Sequence, residues 1–385
     1  MPKFTGQLNA NEIYASLFNM IISIVVYSGN IKGGYTELVD QARADGSMYG
    51  DTKLYVDTDV LACHDWLGDA EAPNLLSLDR PADPEVQKIA LDVFKQIRLT
   101  TDEYLSKRAW GDEYAFAQFN GTLKGWIRDT KKVYDLTLYN SFIGTKESSI
   151  QPSVTVDLSG LSVPSTNVER EAFQRLSGQM IGEAIANLVV DLKDVSRAYN
   201  DYKHLKSHSG DEIKVVWNSK FINQIRYLDL PTIFHKDSIT AEINFKQYML
   251  PARYFGNVVS SSGTSDGTTH RTLIERTVKV SGKDTEFFPG DLLPAGVTFT
   301  AGSVYVQDET IVCKVLTELP PYMSAFEVGT SFFNQRSLTE NFYLTFGHNT
   351  LEYLEAKPFV TMRVQNPSAQ QSASPTASVS PSKGN

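Results

Sequence analysis

An α+β fold follows from three features of the sequence. Two segments, 51–63 and 86–99, alternate apolar and polar residues with a period of two, the mark of half-buried strands. Between 112 and 143 the apolar residues recur instead at spacings of three and four, the mark of one long helix. From 271 to 365 short strand-like runs dominate. The order is an N-terminal arm, a long hairpin, a long helix, a mixed helix-and-strand region, and then strands.

Composition narrows the classes. The 385 residues are 41% hydrophobic and 11% aromatic, which is globular rather than disordered. The formal net charge of −9 argues against a protein that coats nucleic acid by neutralising phosphates. Two cysteines, Cys63 and Cys313, lie far apart and imply no disulfide framework. The most apolar early run, IYASLFNMIISIVVY at 13–27, lacks a basic leader and a small-residue cleavage site. It is also shorter than the ~20 residues of a membrane span. Ser16, Asn19 and Ser23 give it a polar stripe, so an amphipathic helix packed on protein is expected, with no membrane role.

Residues 1–45 form the expected arm, ending in a stretch rich in glycine and small polar residues. A hairpin is expected over 46–100. Leu54, Val56, Thr58, Val60 and Ala62 share one face of its first strand. Ile89, Leu91, Val93, Ile97 and Leu99 share one face of the second, with Lys95 the exception. The segment between them, HDWLGDAEAPNLLSLDRPADPE, carries three prolines and fits neither strand nor helix. It makes a loose tip with Trp66, Leu67, Leu75 and Leu76 as candidate contact residues. Because an isolated hairpin is only marginally stable in water, this one needs a surface, either its own body or a neighbouring subunit.

Thr100 and Glu103 have the spacing of a capping box and predict a short helix before the long one, within a unit spanning 101–150. On the long helix Phe116, Phe119, Leu123, Trp126, Ile127 and Tyr134 form the expected core stripe. Lys131, Lys132 and Asp135 are mostly off it. Gly121 and Gly125, four apart, either admit another backbone or are tolerated surface glycines. A second capping box, Thr166 to Glu169, opens a helix whose stripe includes Phe173, Leu176, Ile181, Ile185, Leu188, Leu192 and Val195. The strand EIKVVWNS follows, with Asn218 or Ser219 capping the next helix. Ile239, Ala241, Ile243 and Phe245 alternate in a further strand, and NVVSSSGTSDGTTH is expected as a flexible loop. The last residues, 366–385, have no aromatic and one charge, Lys383, and compose a disordered tail. A chain stopped after Gln365 is therefore expected to keep its function.

The search for chemistry finds no P-loop, nucleophile elbow or G-x-G-x-x-G after a strand. His204 and His208 have the spacing of a helical metal pair but no third ligand, and read as solvated. Cys63 and His64 are adjacent, so in a strand they point apart. DTKK at 129–132 and KHLK at 203–206 read as solvated helix surface. No catalytic residue, cofactor or metal is expected.

The stretches TTDEYLSKRAWGDEYAFAQFNGTLKGWIRDTKKVYDLTLYNSFIGT and LEAKPFVTMRV, within this order of elements, resemble an HK97-fold major capsid protein of a tailed double-stranded DNA bacteriophage. The resemblance covers roughly residues 1–365. It implies an HK97-like capsid fold: the hairpin as the extended E-loop, the long helix as the spine of a peripheral domain, 151–330 as an axial domain with inserted strands, and 331–365 as strands returning to the peripheral domain. It implies self-assembly into hexamers and pentamers of an icosahedral shell, in the host cytoplasm and then in the virion capsid. It also implies a portal, a separate scaffolding or decoration protein, and packaged dsDNA held without sequence-specific contact. Only about 45 residues precede the hairpin, so no long scaffolding region is expected in the chain, and no cross-linking site is matched. Two other readings fit the residues: a cellular nanocompartment shell of the same fold, and a soluble enzyme without a recognisable motif.

Overall fold

The computed structural model describes residues 37–45, 52–65, 80–102, 113–150, 153–162, 164–226 and 246–365, with the backbone alone at 37, 45, 113–120, 123–124, 223–226 and 325–327. The elements are α1 (Glu37–Ala42), β1 (Arg43–Asp45), β2 (Thr52–Asp57), β3 (Glu85–Asp102), α2 (Glu113–Thr145), β4 (Ser153–Asp157), α3 (Asn167–Lys193), β5 (Lys214–Asn218), α4 (Ser219–Arg226) and β6 (Lys246–Leu250). Seven short strands follow: β7 (Gly256–Val258), β8 (Gly263–Thr264), β9 (His270–Thr272), β10 (Arg276–Val280), β11 (Lys283–Phe287), β12 (Thr298–Phe299) and β13 (Val304–Gln307). The chain then adds β14 (Ile311–Leu316), β15 (Tyr322–Asn334), β16 (Thr339–Asn349) and β17 (Phe359–Gln365).

Two five-stranded sheets dominate. The body sheet has the order β4-β17-β14-β5-β6. Its central strand, IVCKVL, buries all six residues, as a run with no polar alternation does when both faces are covered. On one face Ile181, Ile185, Leu188 and Leu192 of α3 pack on Val215, Trp217, Val315 and Met362. On the other, Tyr139 and Ile143 of α2 and Leu38 of α1 pack on Val216, Leu250 and Leu316. Each fully buried aliphatic or aromatic side chain contributes about 1.5–3 kcal/mol, so this three-layer unit carries most of the stability.

The hairpin sheet has the order β1-β15-β16-β3-β2. Its longest strand, β3, runs for 18 residues and alternates exposed and covered positions along most of its length. The period-two reading of 86–99 is thus met. Lys95 keeps the covered side because its ammonium lies 5.9 Å from the Tyr134 ring centroid and 3.4 Å from Glu275. The helix predicted from Thr100 does not begin there. Cross-strand pairing with β16 extends β3 through Asp102, and the Thr100 hydroxyl donates to Asn341 Oδ1 at 2.6 Å instead of capping a helix.

The long helix spans 33 residues, roughly 50 Å at 1.5 Å per residue, and it joins the two sheets. Tyr134 meets Phe346 of the hairpin sheet edge to face at 5.5 Å. One to two turns further on, Tyr139 and Ile143 enter the body core. Among the described residues a methyl at Gly121 or Gly125 would meet nothing within 4 Å, so no described backbone comes close there. Gly144 is the close approach. A Cβ there would lie 2.1 Å from the Tyr254 carbonyl oxygen.

Three expectations change. Lys131 and Asp135 are not a polar face of the helix: both are buried and paired at 2.7 Å. The Thr166 capping box forms with both its halves, but Leu176 and Val195, placed on the stripe, are exposed. The loop expected to be flexible at 257–270 instead contributes β7, β8 and β9 to a small β unit, its Asp266 carboxylate accepting from the amides of Thr268 and Thr269 at 2.9 Å each. β17 inserts between β4 and β14, because Phe359 to Met362 are all buried and need cover on both faces. The expected strand at 239–245 and the tail at 366–385 lie outside the described residues.

Candidate assembly surface

The hairpin is built from β2 and the first residues of β3, with Thr52 opposite Ala90, Leu54 opposite Lys88 and Val56 opposite Val86. Its inner side is tied to the body. Gln87 donates to the Tyr353 carbonyl at 2.9 Å and accepts from the Glu355 amide at 3.1 Å. Ile89 packs with Met323 and Leu354. Its outer side is open. Leu54 and Val56 are 61% and 60% exposed, and Val86 and Phe94 continue the same face of β3 with half or more of their surface in water. The apolar face read from 51–63 therefore exists, but no described residue buries it, and the strand ends at Asp57 rather than running on. Val60 and Leu61, beyond that end, are also exposed.

The opposite end of the same sheet repeats the feature. At the turn joining β15 to β16, Phe332, Phe333 and Leu338 are exposed. At about 3.3 Å per residue, the pairing along β3 puts roughly 40–50 Å between the two groups. Scattered exposed apolar residues need no explanation, but groups of them on a rigid element mark contact surfaces.

The expected contact residues of the tip, Trp66, Leu67, Leu75 and Leu76, lie outside the described residues. Of the expected helix core, Phe116, Phe119 and Leu123 sit on α2, but their side chains lie outside the described set. Tyr134 is buried. Ile127 is half-buried. Trp126 is a correction: it is 42% exposed and not a core residue among the described residues, where buried positions on α2 begin at Lys131.

What sequence reading missed is a polar seam along that buried half. The Asp135 carboxylate accepts from Lys131 Nζ at 2.7 Å, from the Tyr322 hydroxyl at 2.6 Å and from Arg43 Nη2 at 3.3 Å. The Lys131–Asp135 spacing of four was a visible signal; the partners from β1 and β15 were not. Nearby, His348 Nδ1 faces the Asn349 carbonyl at 2.8 Å and so carries the proton. Its Nε2 accepts from the Tyr134 hydroxyl at 2.8 Å. Burial lowers the His348 pKa and raises that of Tyr134, so both stay neutral. A groove of about 580 Å³ runs between the hairpin sheet, α2 and the small β unit, with Leu138, Phe142 and Ile274 in its walls.

His204 and His208 are not solvated, and α3 ends before them at Lys193. His204 Nδ1 lies 2.6 Å from Asp57 Oδ2, and His208 is buried. Lys206 of the KHLK cluster also pairs with Asp57. Among the described residues no three potential ligands gather to hold a metal ion, and no helix is long and apolar enough to cross a membrane.

This arrangement defines a class before any particular relative: a subunit in which, among the described residues, one sheet is covered on both faces and the other leaves apolar side chains open. No family model and no curated protein matches the sequence. Solved structures do match the fold. A chain in the capsid structure of Staphylococcus phage Andhra aligns over 94% of this chain and 88% of its own, with a TM-score of 0.53 and 10% identity. A chain in a structure of the head fiber and inner core protein gp22 of native bacteriophage P68 aligns over the same shares, with a TM-score of 0.50 and 10% identity. At this identity the likeness is one of fold, and the fold is one found in a phage capsid.

Proposed function

We propose that this chain is a major capsid protein, which self-assembles into the icosahedral shell around a bacteriophage double-stranded DNA genome. The observation that carries the reading is the hairpin sheet. It is covered on one face, and apolar side chains stand open at both its ends. Two different patches roughly 40–50 Å apart along β3 cannot satisfy each other within one subunit. Joined head to tail between copies they give a heterologous contact, which closes into rings such as hexamers and pentamers when the rotation permits. The capsid fold shared over nearly the whole chain supports the same reading.

In HK97-like terms the hairpin is the E-loop, α2 is the spine helix of a peripheral domain, and the body sheet with α3 is the core of the axial domain. The small β unit from β7 to β13 is an insertion in the latter. The protein acts as structure rather than as a catalyst. Its net charge of −9 keeps packaged DNA from adhering to the wall. A portal and a scaffolding or decoration protein complete the particle, assembled in the host cytoplasm and carried in the virion. Size-exclusion chromatography and electron microscopy of the purified chain test this. Closed megadalton shells are expected; a monomer or dimer at every concentration would overturn the reading.

A further inference from the structure

The end of the hairpin carries an arrangement that shell building alone does not demand. Asp57 is the last residue of β2 and lies directly opposite Glu85 of β3. Like charges so placed push strands apart. The pair holds because the loop after α3 brings cations to it. His204 Nδ1 sits 2.6 Å from Asp57 Oδ2, and Lys206 pairs with the other oxygen. Two residues on, Asp59 accepts from the Leu205 amide at 3.0 Å and pairs with Arg197.

The loop is built to receive them. Ser196 and Lys206 close it by reciprocal backbone hydrogen bonds of 2.9 and 3.0 Å. The Asn200 side chain spans it, accepting from the His204 amide at 2.8 Å and donating to the His204 carbonyl at 2.7 Å. Lys203 adopts a left-handed φ of 56°, a conformation that a non-glycine residue keeps only when its surroundings impose it. Asp201 anchors the loop to the body: its amide donates to the Glu355 carbonyl at 2.8 Å, and its carboxylate accepts from Ser149 Oγ at 2.8 Å. One side of the loop therefore belongs to the rigid core and the other grips the arm.

We propose that the 196–206 loop is a charge-operated clasp, which parks the hairpin arm on its own subunit and releases it to a neighbouring copy. The second half rests on the assembly reading above. The arm's apolar outer face stays open while the clasp is closed, so the clasp sets where the arm points rather than hiding it. Salt is its practical lever, because partly exposed ion pairs weaken as the Debye length shortens. Acid is a weak one. Burial pushes the Asp57 carboxyl up, but the Lys206 and His204 contacts outweigh it, and the Leu205 amide and Arg197 hold Asp59 well below the usual carboxylate range. The clasp is therefore intact above the ordinary carboxyl pKa of about 4 and opens only as pH falls well below it. Glu85, Glu355 and Tyr202 face the same cluster; the two acids add negative charge that the loop cations must offset.

Hydrogen exchange on the soluble, unassembled full chain tests the clasp. In D57N/D59N, and in K206D alone, the amides of Thr52–Asp57 should exchange about tenfold faster than in wild type, while those of α3 stay unchanged. Half-molar salt should do the same to wild type. The D57K/K206D swap should recover protection beyond the sum of its single variants. Wild-type protection in D57N/D59N, or strictly additive losses in the swap, would overturn the clasp. Light scattering then tests release: the opened variants should assemble with a shorter lag. An unchanged lag with a demonstrably loosened arm would overturn the gating role. If neither wild type nor variants assemble at all, the shell reading fails, while the exchange data still decide the clasp.

Discussion

The two sheets answer the same packing problem in opposite ways. The body sheet is covered on both faces, so its central strand needs no polar residue and carries almost none. The hairpin sheet is covered on one face, so β3 alternates and leaves Phe94 and Val86 in water. The single exception in the body strand, Lys314, is fully buried. Its ammonium donates to the Lys146 carbonyl at 2.8 Å, just past the C-terminal end of α2, and to the Thr361 hydroxyl at 2.7 Å. Helix C-termini attract cations, so the lysine ties α2 to the sheet it crosses. The difference teaches that, among the described residues, one sheet is closed on both faces while the other leaves apolar side chains open.

The largest effect expected on this contrast comes from Gly144→Ala. The added carbon would meet the Tyr254 backbone at 2.1 Å, and backbone cannot swing aside as a side chain can. A loss of about 3 kcal/mol or more is expected, at or beyond the upper end of ordinary overpacking. Soluble yield and melting temperature would show it. Wild-type stability would mean that α2 does not press on residue 254.

Next in size is Ile185→Ala in the body core. Ile185 is fully buried, and a truncation of this kind costs about 2–5 kcal/mol. Urea unfolding measures it. A cost near zero would break the claim that α3 closes the body sheet.

Lys314 sharpens the contrast through pH. Burial pulls its pKa down to about 7, against about 10.4 in an unfolded chain. Between those values the unfolded chain holds a proton that the folded one lacks, so stability should rise with pH, by up to about 1.4 kcal/mol per unit. Below about pH 7 both states hold the proton, and this contribution to the slope disappears. Lys314→Met should lose that rise. Lys214, whose pKa burial also lowers, contributes to both proteins, so the difference between their urea curves at pH 6.5 to 9.5, about three units, isolates Lys314. Parallel curves would mean that Lys314 is not charged differently in the two states.

The smallest effects on stability should come from the open regions. Leu54→Ser and Trp126→Ala remove exposed side chains, and each should change unfolding free energy by no more than about 0.5–1 kcal/mol. Leu54→Ser should nonetheless lower the yield of shells seen by electron microscopy. If it melts as early as Ile185→Ala, the outer face of the hairpin is covered after all. If it assembles as well as wild type, that face is not a contact.

Local pattern was enough for much of this architecture. Period two in 86–99, spacings of three and four in 112–143, and the paired hydroxyl and carboxylate of Thr166 and Glu169 each involve residues close in sequence, and each element formed where that pattern lies. Backbone geometry alone dictates such repeats. Which face is covered was another matter. Leu54 and Trp126 carry the same apolar signal as Ile89 and Tyr134, yet the first two are open and the last two buried. The cause is where distant segments fall. Lys131 and Asp135 became buried because Tyr322 and Arg43 arrive from nearly 200 and 100 residues away to satisfy a carboxylate that would otherwise be too costly to bury. His204 meets Asp57 across 147 residues, a pairing that no spacing in the sequence encodes. Burial and ion pairing are sums over neighbours in space, and those neighbours exist only once the chain has folded.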